Sequence, residues 1–539
     1  MSTQATPVPR VSPSPPCATD GRAPWALALA RSPLRRGVGV LLVAGSLGYL
    51  GWLIATLNHT YWWLAWPFMV ANLALVTLLL VSLINNWSRS PLRDPPPPQP
   101  PTEFPLVAVL VPTVNEPAWM LARTLRSVLD QHWPHHRLVL VVGDDGHRAP
   151  IRDLARELAA EYPDVVVHYV RPPRPGSPDR RGAAKAGNLN AMLDLVVAHH
   201  PEVAYVETRD ADDLAADPYF LRHTVDVLER EPDVAYVQTI KDALVSPGDP
   251  FGNRRTFFYR GIMLSRDAGG ATFPCGSGLV WRREALQAIG GFPTWNLVED
   301  LYSGYLALQH GYRGRYLPVV GALAQTAPED IPNVYQQLGT WALDTLRIFF
   351  WRPPWRVRGL TWRQRLHFTE MGLFYLSALP TVVLMLVPAA CLLLDVRVLR
   401  VDPLQHALLS WGYTTLITVF TFLLGNGTPW REMMRAKQVW VGLVFVYLRS
   451  AWRALRHGPD RKPAYRPTRK VRRPGVYLWH VAPHLTVLTL LAGAVGYHVA
   501  SHLPGDPLAM DLGSLFWVTF YSGMLLGFIR RSWYGVGAS

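Results

Sequence analysis

The sequence predicts an α/β domain with a mostly parallel sheet, joined to an α-helical membrane domain of about six spans. Two observations support this prediction. Six apolar stretches come near the roughly 20 residues that a helix needs to cross a bilayer. Between the second and the third stretch, short β-branched runs alternate with polar stretches of helical spacing, which is typical of a parallel sheet covered by helices.

The composition limits the classes of protein to which the chain can belong. Its 539 residues include three Cys, too few for a disulfide scaffold. Lys and Arg number 53 against 39 Asp and Glu, so the formal net charge is +14. The basic residues flank the apolar stretches, and no nucleic-acid-binding motif is present. The charge therefore indicates membrane topology, and we expect no nucleic-acid partner.

The N-terminal region begins with a tail, residues 1–24, that is rich in Pro and Ser and is predicted to be disordered. The tail lacks the apolar run of a signal peptide. The next two apolar stretches, about residues 37–57 and 61–83, predict a transmembrane hairpin over residues 35–85. Lys and Arg lie outside the hairpin and are missing from its loop, which places both of its ends in the cytoplasm.

The C-terminal region, residues 372–530, predicts four more spans, at about residues 372–394, 407–424, 478–500 and 512–528. The segment 429–475 is rich in Arg and Lys and is therefore expected in the cytoplasm. Arg397 and Arg400 fall on a predicted outer loop, against this rule. Mixed aromatic and basic residues predict helices in the membrane interface, at about 345–358 within an interfacial region 346–371 and at about 430–455.

A stiff Pro-rich linker, residues 86–104, leads into a soluble domain over residues 105–345. Strands are predicted at the apolar runs 106–112, 138–142, 165–170, 203–206 and 234–237, with a helix at 121–129. Ligands bind beyond the carboxyl ends of parallel strands. The residues that follow each run are therefore the candidates for a functional site.

Carboxylates follow two of the predicted strands. Asp144 follows the second strand, and Asp210-Ala211-Asp212 follows the fourth. Residues two apart in an extended segment project to the same side, so Asp210 and Asp212 can present two carboxylates to one Mg²⁺ or Mn²⁺ ion. An Asp-x-Asp pattern is common by chance, and a solvated loop is the alternative interpretation.

Two further groups of polar residues fit the same kind of site. Glu299-Asp300 can supply a general base, and the alternative interpretation is a negative charge that stabilises a helix N-terminus. In Lys185-Ala186-Gly187-Asn188, the Lys can supply a cation for a phosphate group and the Gly allows the backbone to approach a ligand closely. The alternative interpretation is the start of a surface helix. Each motif alone is weak evidence for a function.

These motifs occur in a fixed order along the chain: Pro112-Thr113-Val114-Asn115-Glu116-Pro117, Asp144-Asp145-Gly146, Lys185-Ala186-Gly187-Asn188, Asp210-Ala211-Asp212, Glu299-Asp300 and Gln337-Leu338-Gly339-Thr340-Trp341. The ordered set resembles membrane-embedded family-2 glycosyltransferases, and within them bacterial cellulose synthase catalytic subunits and cellulose-synthase-like proteins. Tyr465-Arg466-Pro467-Thr468-Arg469-Lys470 also resembles the gating loop of this family. The resemblance covers about residues 35–530.

The resemblance implies a GT-A, Rossmann-like catalytic domain that uses a UDP-sugar. It implies that Asp144 contacts the uridine and that Asp300 is the catalytic base. It further implies that Asp210 and Asp212 hold Mg²⁺ or Mn²⁺ on the diphosphate, with Asp212 the more direct ligand. The substrate-binding residues that it implies are Thr113, Glu116, Asp144, Lys185, Asp210, the acceptor-site residues Gln337 and Trp341, and Lys470 of the gating loop.

Three residues depart from the family pattern. Thr340 replaces an Arg that contacts the diphosphate, and Arg347, two helical turns later, is a candidate substitute. Val114 replaces an aromatic residue that packs on the uracil, and Pro467 replaces a Val of the gating loop. None of these departures falls on the four acidic positions of the pattern, which are Asp144, Asp210, Asp212 and Asp300.

The combined prediction is a processive, inverting β-glycosyltransferase of the plasma membrane with a cytoplasmic catalytic domain. We expect a UDP donor, with UDP-glucose favoured, a cellulose-like β-glucan that passes through the helices of the chain, contact with membrane lipid, and accessory export subunits. The alternatives are a chitin- or hyaluronan-type exopolysaccharide synthase, a non-processive transferase with a lipid acceptor, and a catalytically degenerate subunit that binds nucleotide or glycan.

Overall fold

The computed structural model describes residues 32–92, 100–246, 249–463, 473, 475–502 and 511–534. The predicted N-terminal tail, part of the Pro-rich linker and the segment that contains Lys470 lie outside the described residues. The described chain opens with two long apolar helices, α1 (Ser32–Thr56) and α2 (Trp62–Asn85), joined by a 3₁₀ turn at His59–Tyr61. These helices match the hairpin that the sequence predicts.

The soluble part is built on one eight-stranded sheet whose strand order is β3-β2-β1-β4-β7-β6-β8-β5. The strands are β1 (Val107–Thr113), β2 (Leu138–Asp144), β3 (Val166–Val170), β4 (Tyr205–Thr208), β5 (Asp213–Leu214), β6 (Val234–Ala243), β7 (Leu279–Arg282) and β8 (Arg313–Ala324). Seven helices connect them: α3 (Ala118–Leu129), α4 (Ala149–Glu161), α5 (Ala184–His199), α6 (Phe220–Arg230), α7 (Met263–Ala268), α8 (Arg283–Ala288) and α9 (Glu299–Gln309).

The pairing of the strands confirms a mostly parallel sheet. Strands β1 to β4 are parallel wherever they pair, and β6 is parallel to β8. Strand β7 is antiparallel to both β4 and β6, and β5 is antiparallel to β8. The register pairs Thr113 of β1 with Asp144 of β2, so the carboxyl ends of these strands lie side by side.

Both faces of the sheet are covered by helices, as the continuous apolar runs predict. Alternate residues of β1 point to opposite faces. Val109 and Val111 pack with the α3 residue Leu125, whereas Leu110 packs with the α5 residue Leu189. The sheet is therefore a buried layer, and the edge at its carboxyl ends is where polar side chains collect.

Strands β5, β7 and β8 are absent from the sequence-based prediction. Strand β5 has two residues, too few to show a period. Strand β8 is interrupted by Gly314, Pro318 and Gly321, which are poor strand formers. Apolar, β-branched runs therefore identify β1, β2, β3, β4 and β6, and they miss the four-residue strand β7 as well as β5 and β8.

Eight helices follow the sheet: α10 (Ile331–Trp351), α11 (Trp362–Leu376), α12 (Ala378–Leu394), α13 (Pro403–Leu424), α14 (Trp430–Gly442), α15 (Val444–His457), α16 (Leu478–His502) and α17 (Leu512–Ile529). A short antiparallel pair, β9 (Gly475–Val476) and β10 (Trp533–Tyr534), lies beside them. Six stretches of the described residues are long and apolar enough to cross a membrane: Pro33–Thr56, His59–Asn85, Trp362–Leu394, Pro403–Leu424, Leu478–His502 and Leu512–Ile529. The prediction of six spans is confirmed, and the chain is a multi-pass membrane protein.

Two details of the predicted membrane region need correction. The third span begins at Trp362, ten residues before the predicted start at 372, and it consists of α11 and α12. The helix expected across residues 345–358 ends at Trp351, because Pro353 and Pro354 have no amide hydrogen to continue it. The stretch at about residues 430–455, where an interface helix is expected, forms two consecutive helices, α14 and α15.

Two loops join at one end of the membrane helices, and Asn58 is at their centre. Its backbone N–H donates to Val398 O at 2.9 Å, and its Nδ2 donates to Arg397 O at 2.8 Å. Arg400 donates from Nε to Asn58 Oδ1 at 3.0 Å and from Nη2 to Thr60 Oγ1 at 2.9 Å. Arg400, which departs from the charge rule for a predicted outer loop, is therefore satisfied by the neighbouring loop.

Candidate active site

The centre of the candidate site is Asp210, which lies two residues beyond the end of β4. Its Oδ1 is 2.6 Å from Lys185 Nζ, and its Oδ2 is 2.6 Å from Lys241 Nζ. Lys185 begins α5, and Lys241 lies near the end of β6. The backbone N–H of Asp210 donates to Ser277 Oγ at 3.1 Å, which fixes the loop against the segment before β7.

The neighbouring acids complete a strongly negative cluster. Asp213 Oδ2 is 2.8 Å from Lys241 Nζ, and Asp212 is buried, with its carbonyl oxygen accepting a hydrogen bond from Gln325 N. Burial raises the pKa of Asp213, which is fully buried. Both residues of the predicted metal pair are therefore at the site, together with an acid that the sequence did not single out.

The second acidic pair lies at the start of α9, on the other side of Lys185. Glu299 Oε1 is 3.2 Å from Lys185 Nζ, and Lys185 also donates to Gly276 O at 3.0 Å. Gly276 has φ +83°, and a Cβ there would lie 3.1 Å from both Asp300 Oδ2 and Lys185 Nζ. Asp300 and Lys185 therefore line one narrow space, which only a glycine at position 276 leaves open.

The environment of Asp300 favours the neutral, protonated form of its carboxyl group. Burial, and then repulsion from Glu299, raise its pKa to about 7, although Lys185 opposes the shift. A carboxyl with this pKa accepts a proton far more readily than an ordinary Asp does. The geometry thus gives Asp300 the properties of a general base.

Asp144 lies at the end of β2, where its carboxylate is buried and fully engaged. Oδ1 accepts from Gly146 N and from Arg148 Nε, each at 3.0 Å. Oδ2 accepts from Arg148 N at 2.6 Å and from the Tyr169 hydroxyl at 3.2 Å. The hydrogen-bond donors to Asp144 all come from the surrounding protein, and Arg148 is the principal donor.

Thr113 and Glu116 organise the turn after β1. Glu116 Oε2 accepts from Thr113 Oγ1 at 2.8 Å and from Val114 N at 2.9 Å. Arg148 Nη2 donates to Thr113 Oγ1 at 2.8 Å, which links this turn to Asp144. The four residues form one network at the predicted uridine end of the site.

A second buried arginine shapes the loop before Lys185. Arg180 makes a bidentate ion pair with Asp145, at 2.7 and 3.0 Å, and also donates to Ala184 O. A Cβ on Gly187 would lie 2.3 Å from Gly182 O. The glycine of the Lys185 motif is therefore required by the packing of this loop against α5.

The predicted acceptor residues lie on α10. Gln337 is half-buried, and Trp341 is 39% exposed with the guanidinium of Arg255 over its ring at 5.4 Å. Thr340, which replaces the expected arginine, donates from its hydroxyl back to Gln336 O within the same helix. The guanidinium of Arg255, which lies outside α10, thus covers part of one face of the Trp341 ring.

Arg347 does not take the place of the missing arginine. Its side chain is buried, stacks over Trp295 at 4.8 Å, and donates to Gly458 O at 3.1 Å and Arg461 O at 3.0 Å. Both of these carbonyl groups belong to the chain that follows α15, and both accept from Nη1 of the guanidinium. The suggestion that Arg347 substitutes at the diphosphate is therefore wrong, and its role is to hold the chain that follows α15.

The donor set and its charge fit a divalent cation. The cluster holds five carboxyl groups against two ammonium groups, and Glu299 Oε2 has no hydrogen-bond partner among the described residues. Carboxylate oxygens are the ligands that Mg²⁺ and Mn²⁺ prefer. Asp210 and Asp212 are the residues that would hold such an ion.

Sequence reasoning missed Lys241 and Arg148. Lys241 lies in a polar continuation of β6, beyond the apolar run that predicts this strand. Arg148 follows Asp144 by four residues, a spacing that could have suggested the pair. Lys470, the remaining predicted site residue, lies outside the described residues.

One chain thus combines an α/β sheet that has charged groups at its carboxyl edge with six stretches that are long and apolar enough to cross a membrane. Residues 105–343 match the family described as "Glycosyltransferase like family 2", and residues 289–446 match the family described as "Cellulose synthase". The first of these ranges is thus similar to family-2 glycosyltransferases, and the second is similar to cellulose synthases.

Its curated relatives are bacterial cellulose synthases. "Cellulose synthase 1" of Komagataeibacter xylinus is 32% identical over 386 residues, which are 68% of this chain and 23% of the relative. "Cellulose synthase catalytic subunit [UDP-forming]" of Pseudomonas fluorescens (strain SBW25) is 30% identical over 383 residues, 68% of this chain and 48% of the relative. The chain thus spans 23% and 48%, respectively, of the length of these two relatives.

One solved glycosyltransferase structure also shows a partial similarity to the chain. The mannosyltransferase PcManGT from Pyrobaculum calidifontis, in complex with GDP-Man and Mn²⁺, is 21% identical, with a TM-score of 0.46. The match covers 73% of this chain and 97% of that protein.

Proposed function

We propose that the protein is a processive, inverting β-glycosyltransferase that extends a polysaccharide from a UDP-sugar. UDP-glucose is the favoured donor, and the product is a cellulose-like β-glucan that leaves through the membrane helices. The observation that carries the proposal is the placement of Asp300, a buried acid of raised pKa, beside Lys185 and the Asp210 cluster. The likeness to cellulose synthases supports the choice of product.

The side chains suit a single displacement at the anomeric carbon of the donor. Asp300 takes the proton of the acceptor hydroxyl while that oxygen forms a bond to the anomeric carbon. The bond from this carbon to the diphosphate oxygen breaks, and UDP leaves with the electron pair. Lys185 stabilises the charge on the departing diphosphate. A single displacement in which the acceptor hydroxyl is the nucleophile inverts the configuration of the sugar.

A divalent cation, when bound, supplies further positive charge at the donor diphosphate. Asp210 and Asp212 would hold it. At the other end of the site, Trp341 offers its exposed ring to the apolar face of a sugar, which is a common way for proteins to hold a glycan chain. The catalytic domain faces the cytoplasm of the plasma membrane in this proposal, since the basic segments around it mark the inner side.

The test uses the full chain reconstituted in lipid vesicles with labelled UDP-glucose or UDP-N-acetylglucosamine, with and without EDTA. We expect incorporation from UDP-glucose that EDTA abolishes, and a polymer that a β-1,4-glucan hydrolase digests. Incorporation from UDP-N-acetylglucosamine alone would instead identify a chitin- or hyaluronan-type synthase. No incorporation from any UDP-sugar would contradict the proposed function.

The Asp300→Asn variant separates an enzyme from an inactive binding subunit. Asn is isosteric but cannot accept the proton, so we expect turnover to fall at least about 100-fold while UDP binding is kept. Asp153→Asn, at a carboxylate that is 59% exposed on α4, is the control and should keep full activity. Equal turnover in the Asp300→Asn variant and the parent chain would remove Asp300 from the mechanism.

A further inference from the structure

The helix that carries the predicted acceptor residues also holds the start of the helix that carries Asp300. Asp344 of α10 is 3% exposed, and its carboxylate accepts from Leu297 N at 3.0 Å and from Val298 N at 2.6 Å. Val298 is the N-cap residue of α9 and makes no side-chain cap of its own. Asp344 therefore holds, from another helix, the two residues that lead directly into α9, and its burial raises its own pKa to about 7.

One turn along the same helix, Arg347 holds a different segment. Its guanidinium donates to Gly458 O and Arg461 O, and it stacks on Trp295. The Trp295 indole N–H donates to Pro459 O at 3.1 Å. Arg347 and Trp295 thus connect residues 458–461 to the loop that leads into α9.

A lysine completes the contact between these elements. Lys462 Nζ donates to Thr294 O at 2.8 Å, in the same loop before α9. Residues 458–462 precede the segment that the sequence identifies as a gating loop. The loop 294–298 is consequently held from one side by α10 and from the other side by the chain that follows α15.

We propose that Asp344 is a positioning residue for the catalytic base: it fixes the first turn of α9, and so the place of Asp300, against the acceptor helix α10. This proposal rests on the proposed function, because it takes Asp300 as the base. In this proposal, one buried carboxylate fixes the position of the base relative to the predicted acceptor residues Gln337 and Trp341.

The charge of Asp344 also acts on Asp300. Repulsion from Asp344 contributes to the raised pKa of Asp300, after burial and after Glu299. The other charged and titratable groups around these two carboxyls are Lys185, Cys275, Glu299, Arg347 and Lys462. Loss of the charge at position 344 is therefore expected to lower the pKa of Asp300.

The test compares Asp344→Asn with the parent chain in vesicles. We expect kcat to fall at least about tenfold at neutral pH, with the KM for the donor sugar nucleotide within about twofold, because the base is displaced and the donor site is not. We also expect the acid limb of the kcat profile to move to lower pH. A residue with a purely structural role would reduce the amount of folded protein without moving that limb.

Asp249→Asn is the matched control. Asp249 is also buried, and its carboxylate also accepts from two backbone N–H groups, those of Asn253 at 2.7 Å and Arg254 at 2.9 Å. We expect this variant to keep the parent pH profile. If Asp344→Asn also keeps the parent kcat and pH profile, or if both variants change them equally, the positioning role is contradicted.

Amide hydrogen exchange tests the contact without any need for turnover. We expect the amides of Leu297 and Val298 to exchange at least about tenfold faster in Asp344→Ala than in the parent, and to be unchanged in Asp249→Asn. Unchanged exchange in Asp344→Ala would contradict the capping role. An inactive parent chain with the expected exchange pattern would overturn the proposed function and, with it, the role of Asp344 in catalysis, while leaving the contact itself established.

Discussion

Asp300 sets the pH range over which the proposed reaction can run. Its pKa is raised to about 7, by burial first and by Glu299 second. The base acts in its deprotonated form, so the active fraction grows as the pH rises through this value. We therefore predict that kcat increases from about pH 6 to about pH 8, measured as sugar incorporation in vesicles buffered at each pH.

A pH profile without this rise would argue against Asp300 as the base. UDP binding measured over the same range provides the control, since binding does not require the ionised form of this residue. The ammonium groups of Lys185 and Lys241 stay charged throughout, because the surrounding carboxylates raise the pKa of both. Their charge consequently does not contribute to the profile.

At the scale of elements, the end of β4 depends on a fully buried ion pair. Glu207 Oε1 and Arg209 Nε are 2.5 Å apart, and both side chains are inaccessible to solvent. Burial raises the pKa of Glu207, and Arg209 opposes that shift. We predict that Arg209→Met, which leaves the carboxylate unpaired, destabilises the soluble part by about 3–5 kcal/mol.

The measurement is the midpoint of thermal unfolding of the purified protein. Arg126→Met is the matched control, because Arg126 pairs with Glu157 and Glu161 on the surface, where its side chain is 38% exposed. A surface pair of this kind contributes at most about 1 kcal/mol. Similar midpoints for the two variants would show that the buried pair does not hold the end of β4.

The elements also show how far the sequence predicts the structure. The central strands are apolar on both faces, and this pattern alone identifies β1 and β2. Strand β8 is missed because its conformation depends on pairing with β6 along its whole length, including three shifts in register. A local pattern identifies a strand where the apolar run is long enough to stand out, and it fails for β8, where pairing with β6 decides the conformation.

The same limit applies to the candidate site. Asp210 and Asp300 are predictable, because they follow a recognisable strand and motif. Lys241 and Asp344 act at the site through contacts across the sheet and between helices, at sequence separations of 31 and 46 residues for their hydrogen bonds to Asp210 and Val298. No local signal in the sequence marks such partners.

At the scale of the whole molecule, Asp210, the central acid of the cluster, has counter-charges from two distant elements of the fold. Lys185 and Lys241 each contact Asp210, so the fold does not need a metal ion to balance this residue. We predict that EDTA leaves the midpoint of thermal unfolding of the whole protein within about 1 °C. A drop of several degrees, reversed by added Mg²⁺, would show instead that an ion is part of the resting structure.

The junction of the two loops around Asn58 bears on the biogenesis of the protein. Asn58 and Arg400 are 342 residues apart, so the partners of the first hairpin are made long after the hairpin itself. At a synthesis rate of about 5–20 residues per second, this interval is roughly 20–70 seconds. The newly synthesised hairpin must therefore remain in the bilayer without the hydrogen bonds that join Asn58 to Arg397 and Arg400 while the ribosome completes the entire soluble domain.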